Sequence, residues 1–139
     1  EILRCLVGSE MCIRDRTLAA FRNCIIAGSS SDEISGGRSK DSSIPFNYYF
    51  SYCLINSIEE KNDKIVNVIW KKDDNFQLID KRGEQLYDFQ LTPKSAAINI
   101  GLADDARNYP QDLKGMPRLE DEAPDAGCYE WKEKTEENE

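Results

Sequence analysis

The feature that most constrains this chain is a repeat. Phe21-Arg22-Asn23-Cys24-Ile25-Ile26 aligns without gaps on Phe50-Ser51-Tyr52-Cys53-Leu54-Ile55, 29 residues later. The Phe and Cys positions are identical, and both segments end in two aliphatic residues. Each is rich in aromatic and β-branched residues, which favours strand. Residues 29–45 between them are crowded with Ser, Gly and Asp and close on Pro45, which is loop chemistry. Strand, polar excursion and similar strand describe a solenoid, in which equivalent residues of successive turns lie above one another. Phe21 is expected over Phe50, and Cys24 near Cys53, in parallel strands.

Further strand-like runs follow: 65–70, nearly continuous in apolar character, then 76–80 and 87–91, which alternate with period two. Charged or Gly-containing turns separate them at 71–74 and 81–84. From Leu102 onward, Pro110, Gly115, Pro117, Pro124 and Gly127 punctuate an irregular segment. No helical stripe is evident, so the fold class expected is all-β. A small autonomous β-sandwich is the rival, but two-residue Asn-Gly or Asp-Gly hairpin turns are missing.

Charge and cysteines narrow the function classes. The net charge of −8 is concentrated at the end: residues 120–139 hold nine acids and two lysines. The body carries no basic stripe of the kind a nucleic-acid surface needs, so no nucleic-acid partner is expected. Nor does any apolar run reach the roughly 20 residues of a membrane span. The chain has no His, which excludes His-based nucleophilic triads and His-containing metal sites. Cys24, Cys53 and Cys128 are too few and too odd for a disulfide framework and read as buried small hydrophobes.

The opening residues need a separate account. Cys5 and Cys12 are spaced too widely for a metal pair, and Glu10, Arg14, Asp15 and Arg16 interrupt any signal-peptide core. Leu6 to Asp15 can be reverse-translated codon by codon into a string that resembles a transposase sequencing-library adapter, and Arg16 fits its continuation. The resemblance implies that residues 1–16 are non-native and that the coding sequence was cut on its 5′ side. Domain organisation is then expected as β-helix turns over 17–103, a C-terminal cap over 104–131 and an acidic tail over 132–139.

Three blocks near the end carry a second resemblance: YDFQLTPKSAAINIGLADD, DLKGMPR and DAGCYEW. They are similar to the C-terminal signature of secreted right-handed parallel β-helix proteins of the pectate-lyase-like kind. In that signature Leu91, Ser95, Ala97, Ile98 and Gly101 match the first block, Asp112, Gly115, Pro117 and Arg118 the second, and Asp125, Gly127, Tyr129 and Glu130 the third. Ala96, Asn99, Ala126 and Cys128 depart from it. The resemblance implies the last turns of a right-handed β-helix closed by an irregular cap, in an extracellular or cell-surface, monomeric protein that binds or processes polysaccharide. A polysaccharide lyase or glycoside hydrolase would then keep its catalytic residues upstream, leaving none here. A structural or adhesive surface protein without catalysis is the alternative.

An exposed solenoid end has to be covered, so residues 104–131 are expected to seal the stack. Arg118, with Asp112, Glu120, Asp121 and Asp125 around it in sequence, is the candidate for a bidentate carboxylate pair. Tyr129 and Trp131 are expected to cover the last turn. Asp112, Arg118, Asp125 and Tyr129 are thus cap residues rather than chemistry. The adjacent acids Asp73-Asp74 and Asp104-Asp105 read as solvated turns. No metal or cofactor is expected here, although calcium could serve a longer protein of this kind. Among the aromatics Tyr48, Tyr49, Tyr52 and Trp70, Tyr49 and Trp70 are the candidates for contact with sugar rings.

Overall fold

The computed structural model describes residues 18–28, 30–38, 40–43, 45–79 and 87–133. Residues 1–16, the turn at 81–84 and the end of the acidic tail lie outside these. Strands β1 (Ala19–Arg22), β3 (Tyr48–Ser51) and β5 (Ile65–Val66) form one parallel sheet, sheet A. Strands β2 (Ile25–Ile26), β4 (Leu54–Ile55) and β6 (Ile69–Trp70) form a second, sheet B. The register sets Phe21 opposite Phe50 and Phe50 opposite Ile65, then Ile25 opposite Leu54 and Leu54 opposite Ile69. The expected parallel pairing of the two Phe–Cys segments is therefore present. A third pass of the same kind starts 15 residues after Phe50; it lacks the Phe and Cys of the first two and shares only Asn67 and Ile69 with the first, at the positions of Asn23 and Ile25.

One residue makes the corner between the two strands of each pass. Asn23, Tyr52 and Asn67 occupy equivalent positions with φ of 49°, 53° and 51°. This left-handed backbone turns the chain from sheet A into sheet B in a single step. Asn enters it readily because its short polar side chain tolerates the conformation. Asn67 also explains why 65–70, expected as one strand, is two: the corner falls in its middle.

Alternate residues of a strand face opposite ways, and sheet B is apolar on both faces. Ile26, Ile55 and Trp70 face sheet A across a core of Cys24, Phe50 and Cys53, joined by Phe21, Tyr48, Ile65 and Val68. The Phe21 and Phe50 rings stack with centroids 4.9 Å apart. Ile25, Leu54 and Ile69 point the other way, onto Leu91, Ala97 and Ala126, with Phe76, Ile98, Ile100 and Trp131 around them.

The C-terminal segment therefore packs along the outer face of sheet B, and residues 91–100, expected as part of the turns, belong to this covering layer. It was expected to seal the end of the stack. What it does instead is run from the third pass back to the first. It enters through β7 (Phe76–Leu78) and β8 (Asp88–Leu91), which pair antiparallel and so break the parallel pattern. Thr92 N and Oγ1 then donate to Asn75 O and Asp74 O at 3.1 and 2.6 Å. The segment contains one short helix, α1 (Ala103–Asn108), where none was expected. On either side of α1 it reaches Asn23: just before the helix the side-chain amide of Asn23 donates to Leu102 O and accepts from Leu102 N, and beyond it Gly127 N donates to Asn23 O.

The corners give a stability test. Asn67 is exposed, so its contribution is mainly conformational. Asn67→Val is expected to cost about 1–2 kcal/mol because a β-branched residue is disfavoured in left-handed backbone, while Asn67→Gly stays close to wild type. Asn23→Gly keeps the backbone but loses both bonds to Leu102, so it destabilises where Asn67→Gly does not. Urea denaturation of the three variants measures this.

Candidate functional site

Two places concentrate polar chemistry: a knot within the C-terminal segment and a groove on sheet A. The knot is built from the second and third sequence blocks. Asp112 Oδ1 accepts from Lys114 N and Met116 N at 2.7 and 2.8 Å, closing a turn in which Gly115 has a φ of 81°. Asp112 Oδ2 accepts from Glu130 N at 3.0 Å. Asp125 Oδ1 accepts from Asn99 N at 2.8 Å and Oδ2 from Trp131 N at 2.6 Å, tying the chain end to the covering layer. Arg118 donates through Nη2 to Gly127 O and through Nη1 to Glu130 Oε1, at 3.1 and 2.5 Å. Glu130 Oε2 in turn accepts from Asp125 N at 3.0 Å.

The carboxylate on Arg118 is therefore Glu130, twelve residues downstream, and not Asp112, Glu120, Asp121 or Asp125. The six-residue loop from Asp125 to Glu130 folds back on itself, which brings Glu130 to the guanidinium. Gly127 makes that loop feasible: its φ is 104°, and a Cβ there would meet Ile25 Cδ1 at 3.0 Å. Tyr129 lies over this region with Lys114 Nζ 5.5 Å from its ring centroid, and Trp131 packs on the outer core of sheet B.

Burial raises the pKa of both Asp125 and Glu130 above the usual carboxylate range. For Glu130 desolvation outweighs the Arg118 guanidinium and the Asp125 N–H and pushes the group up to about 7. Raised carboxylate pairs occur at catalytic sites, but here every oxygen of Asp125 and Glu130 already holds backbone or Arg118. In the knot these carboxylates hold the backbone of the covering layer and the Arg118 guanidinium.

The groove lies on the other side of the stack. Tyr49 alternates with the buried Phe50 along β3 and pairs in register with Ala20 of β1. Together with Leu18, Arg22, Asn47, Tyr48 and Lys64 they line an open groove of about 420 Å³. Its two charged lining residues are cationic: Arg22 is held by Asp105 at 3.2 Å, and Lys64 Nζ sits 5.0 Å from the Tyr48 ring centroid and donates to Phe46 O.

Trp70, the other aromatic candidate, is not brought to Tyr49. It belongs to sheet B, packs against the inner core and borders a separate recess of about 240 Å³ with Glu59, Glu60, Lys61 and Asn62 on its rim. Neither acidic pair forms a joint site among the described residues. Asp104 pairs with Arg107 within α1, whereas Asp105 turns to Arg22. Asp73 and Asp74 are exposed. Arg22, Lys64 and Asn47 were not singled out from sequence; Asn47 is a sequence neighbour, but only the register of β1 and β5 on β3 could have placed Arg22 and Lys64 beside Tyr49. Among the described residues no group of three or more His, Cys, Asp or Glu side chains could hold a metal ion. Nor is any helix among them long and apolar enough to cross a membrane.

The Glu130 shift has a definite sign. The folded chain holds a proton on Glu130 between about pH 4.5 and 7, where the unfolded chain has lost it, so stability declines as pH rises through that window. Raised Asp125 acts in the same direction. Comparing urea midpoints at pH 5 and pH 8, wild type is expected to lose more stability than Glu130→Gln, which keeps a polar group but does not titrate. No family model, characterised protein or solved structure was found to match this chain.

Proposed function

We propose that the three passes are consecutive turns of a right-handed parallel β-helix belonging to an extracellular or cell-surface protein that binds or processes polysaccharide, with this chain contributing binding. Three in-register parallel repeats of strand, left-handed corner and strand support the solenoid. Crossovers between parallel strands of one sheet are right-handed in nearly all proteins, which supports the hand. The resemblance of the three C-terminal blocks to secreted β-helices supports the location and the class of ligand.

The groove beside Tyr49 is the observation that carries a binding role. A half-buried tyrosine ring on a flat strand surface, flanked by Asn47, Arg22 and Lys64, offers an apolar face for a sugar ring and donors for its hydroxyls. A second reading, a structural surface protein without catalysis, is favoured by the full commitment of Asp125 and Glu130 to backbone and Arg118.

Affinity electrophoresis through gels containing soluble neutral or acidic polysaccharides separates the two. On the binding reading at least one polysaccharide retards the wild-type chain, and Tyr49→Ala reduces that retardation about tenfold, while Trp70→Phe leaves it unchanged. Unretarded migration in all the gels favours the structural reading.

A further inference from the structure

We propose that Cys24 and Cys53 form a cross-linking site: under oxidising conditions they close a disulfide that staples the first pass of the stack to the second. This inference stands apart from the polysaccharide reading and needs only the register of the strands. Asn23 N donates to Ser51 O at 3.1 Å and Leu54 N to Cys24 O at 2.9 Å, so the two cysteines are held between backbone bonds on either side. They are the residues just after the corners at Asn23 and Tyr52, in adjacent passes.

Neighbouring strands lie about 4.8 Å apart, inside the Cα separation of roughly 4.4–6.8 Å that a disulfide spans. Both side chains enter the inner core, and both are thiols. Cys53 Sγ reaches back toward the first pass, 3.6 Å from Phe21 O, and the thiols of Cys53 and Cys24 are hydrogen-bonded to one another. Cys128 lies in the C-terminal segment instead, where Leu113 N donates to its carbonyl.

Burial protects these thiols in the closed fold. That hydrogen bond, then desolvation, raises the Cys53 pKa, which suppresses the thiolate that exchange requires. The route in is opening of the first pass. Local opening of strands exposes groups that the closed fold buries. With the pass open, a thiolate at Cys24 attacks one sulfur of a small-molecule disulfide such as oxidised glutathione, releasing one thiol and leaving a mixed disulfide. A thiolate at Cys53 then attacks the Cys24 sulfur and displaces the second thiol. Two electrons and two protons pass from the protein dithiol to the glutathione, and the strands close over the new bond.

The test uses the full chain. It is equilibrated in an oxidising glutathione buffer, quenched in acid, alkylated in denaturant and mapped by peptide mass spectrometry. The expected result is one dominant linked peptide joining Cys24 to Cys53, with Cys128 alkylated. The urea midpoint then falls when a phosphine reductant is added. Alkylation of both Cys24 and Cys53 overturns the proposal, as does their linkage to glutathione, to another chain, or to Cys5, Cys12 or Cys128. In Cys24→Ala the midpoint loses its response to the reductant; a response that persists also overturns it. The mass map of the wild-type protein decides the matter if that variant does not fold.

Discussion

The stack depends on one backbone state repeated three times. A single left-handed residue at Asn23, Tyr52 and Asn67 swings each pass from sheet A into sheet B at the same place along the chain. Equivalent corners keep the strands on either side in register, and in-register strands pair their amides from pass to pass. Loss of that equivalence at one corner would shift every side chain after it to the wrong face. Tyr52 is the costly member, since a bulky residue is disfavoured there. Its neighbours Phe50, Cys53, Leu54 and Ile55 are buried and hold it in place.

Sheet B follows from that arrangement. Ile25-Ile26, Leu54-Ile55 and Ile69-Trp70 are apolar at consecutive positions, so a sheet built from them must be covered on both faces. One face meets sheet A; the other is covered by Leu91, Ala97, Ala126 and their surroundings. Leu54 and Ile55 are fully buried on opposite faces, and burial of each contributes about 2–3 kcal/mol. The covering layer has little regular structure of its own. Its backbone is held by side chains: Asn23 on Leu102, Asp125 on Asn99 and Trp131, Asp112 on the turn at 114–116, Arg118 on Gly127. A layer built in this way concentrates buried carboxylates that accept from backbone amides. Their raised proton affinity is a by-product of burial.

The candidate groove is a consequence of stacking as well. Tyr49 is one of several tyrosines in its neighbourhood, set apart only by its place next to the buried Phe50. Alternation along β3 turns it away from the core, and register brings Ala20 beside it, a residue small enough to leave space. Arg22 arrives from the first pass and Lys64 from the approach to the third. Each is separated from Tyr49 by 15 or more residues, so their meeting could not be read locally.

What the chain spells out by itself is the local part: strand-forming segments, polar connections, the match of Phe21-Cys24 to Phe50-Cys53 and the acidic end. That match was enough to predict parallel neighbours, because identical short segments bury identical faces. The third pass stayed hidden, since residues 65–70 lack the Phe and Cys that mark the first two and share only Asn67 and Ile69 with the first. Likewise, the acids close to Arg118 in sequence suggested its partner, yet the fold supplied Glu130 through a loop that only Gly127 permits. Tertiary structure alone decided that residues 91–131 lie along sheet B and reach back to Asn23. The reason is physical: the second apolar face of sheet B exists only once the passes have stacked, and no short segment records what a surface made of three of them requires.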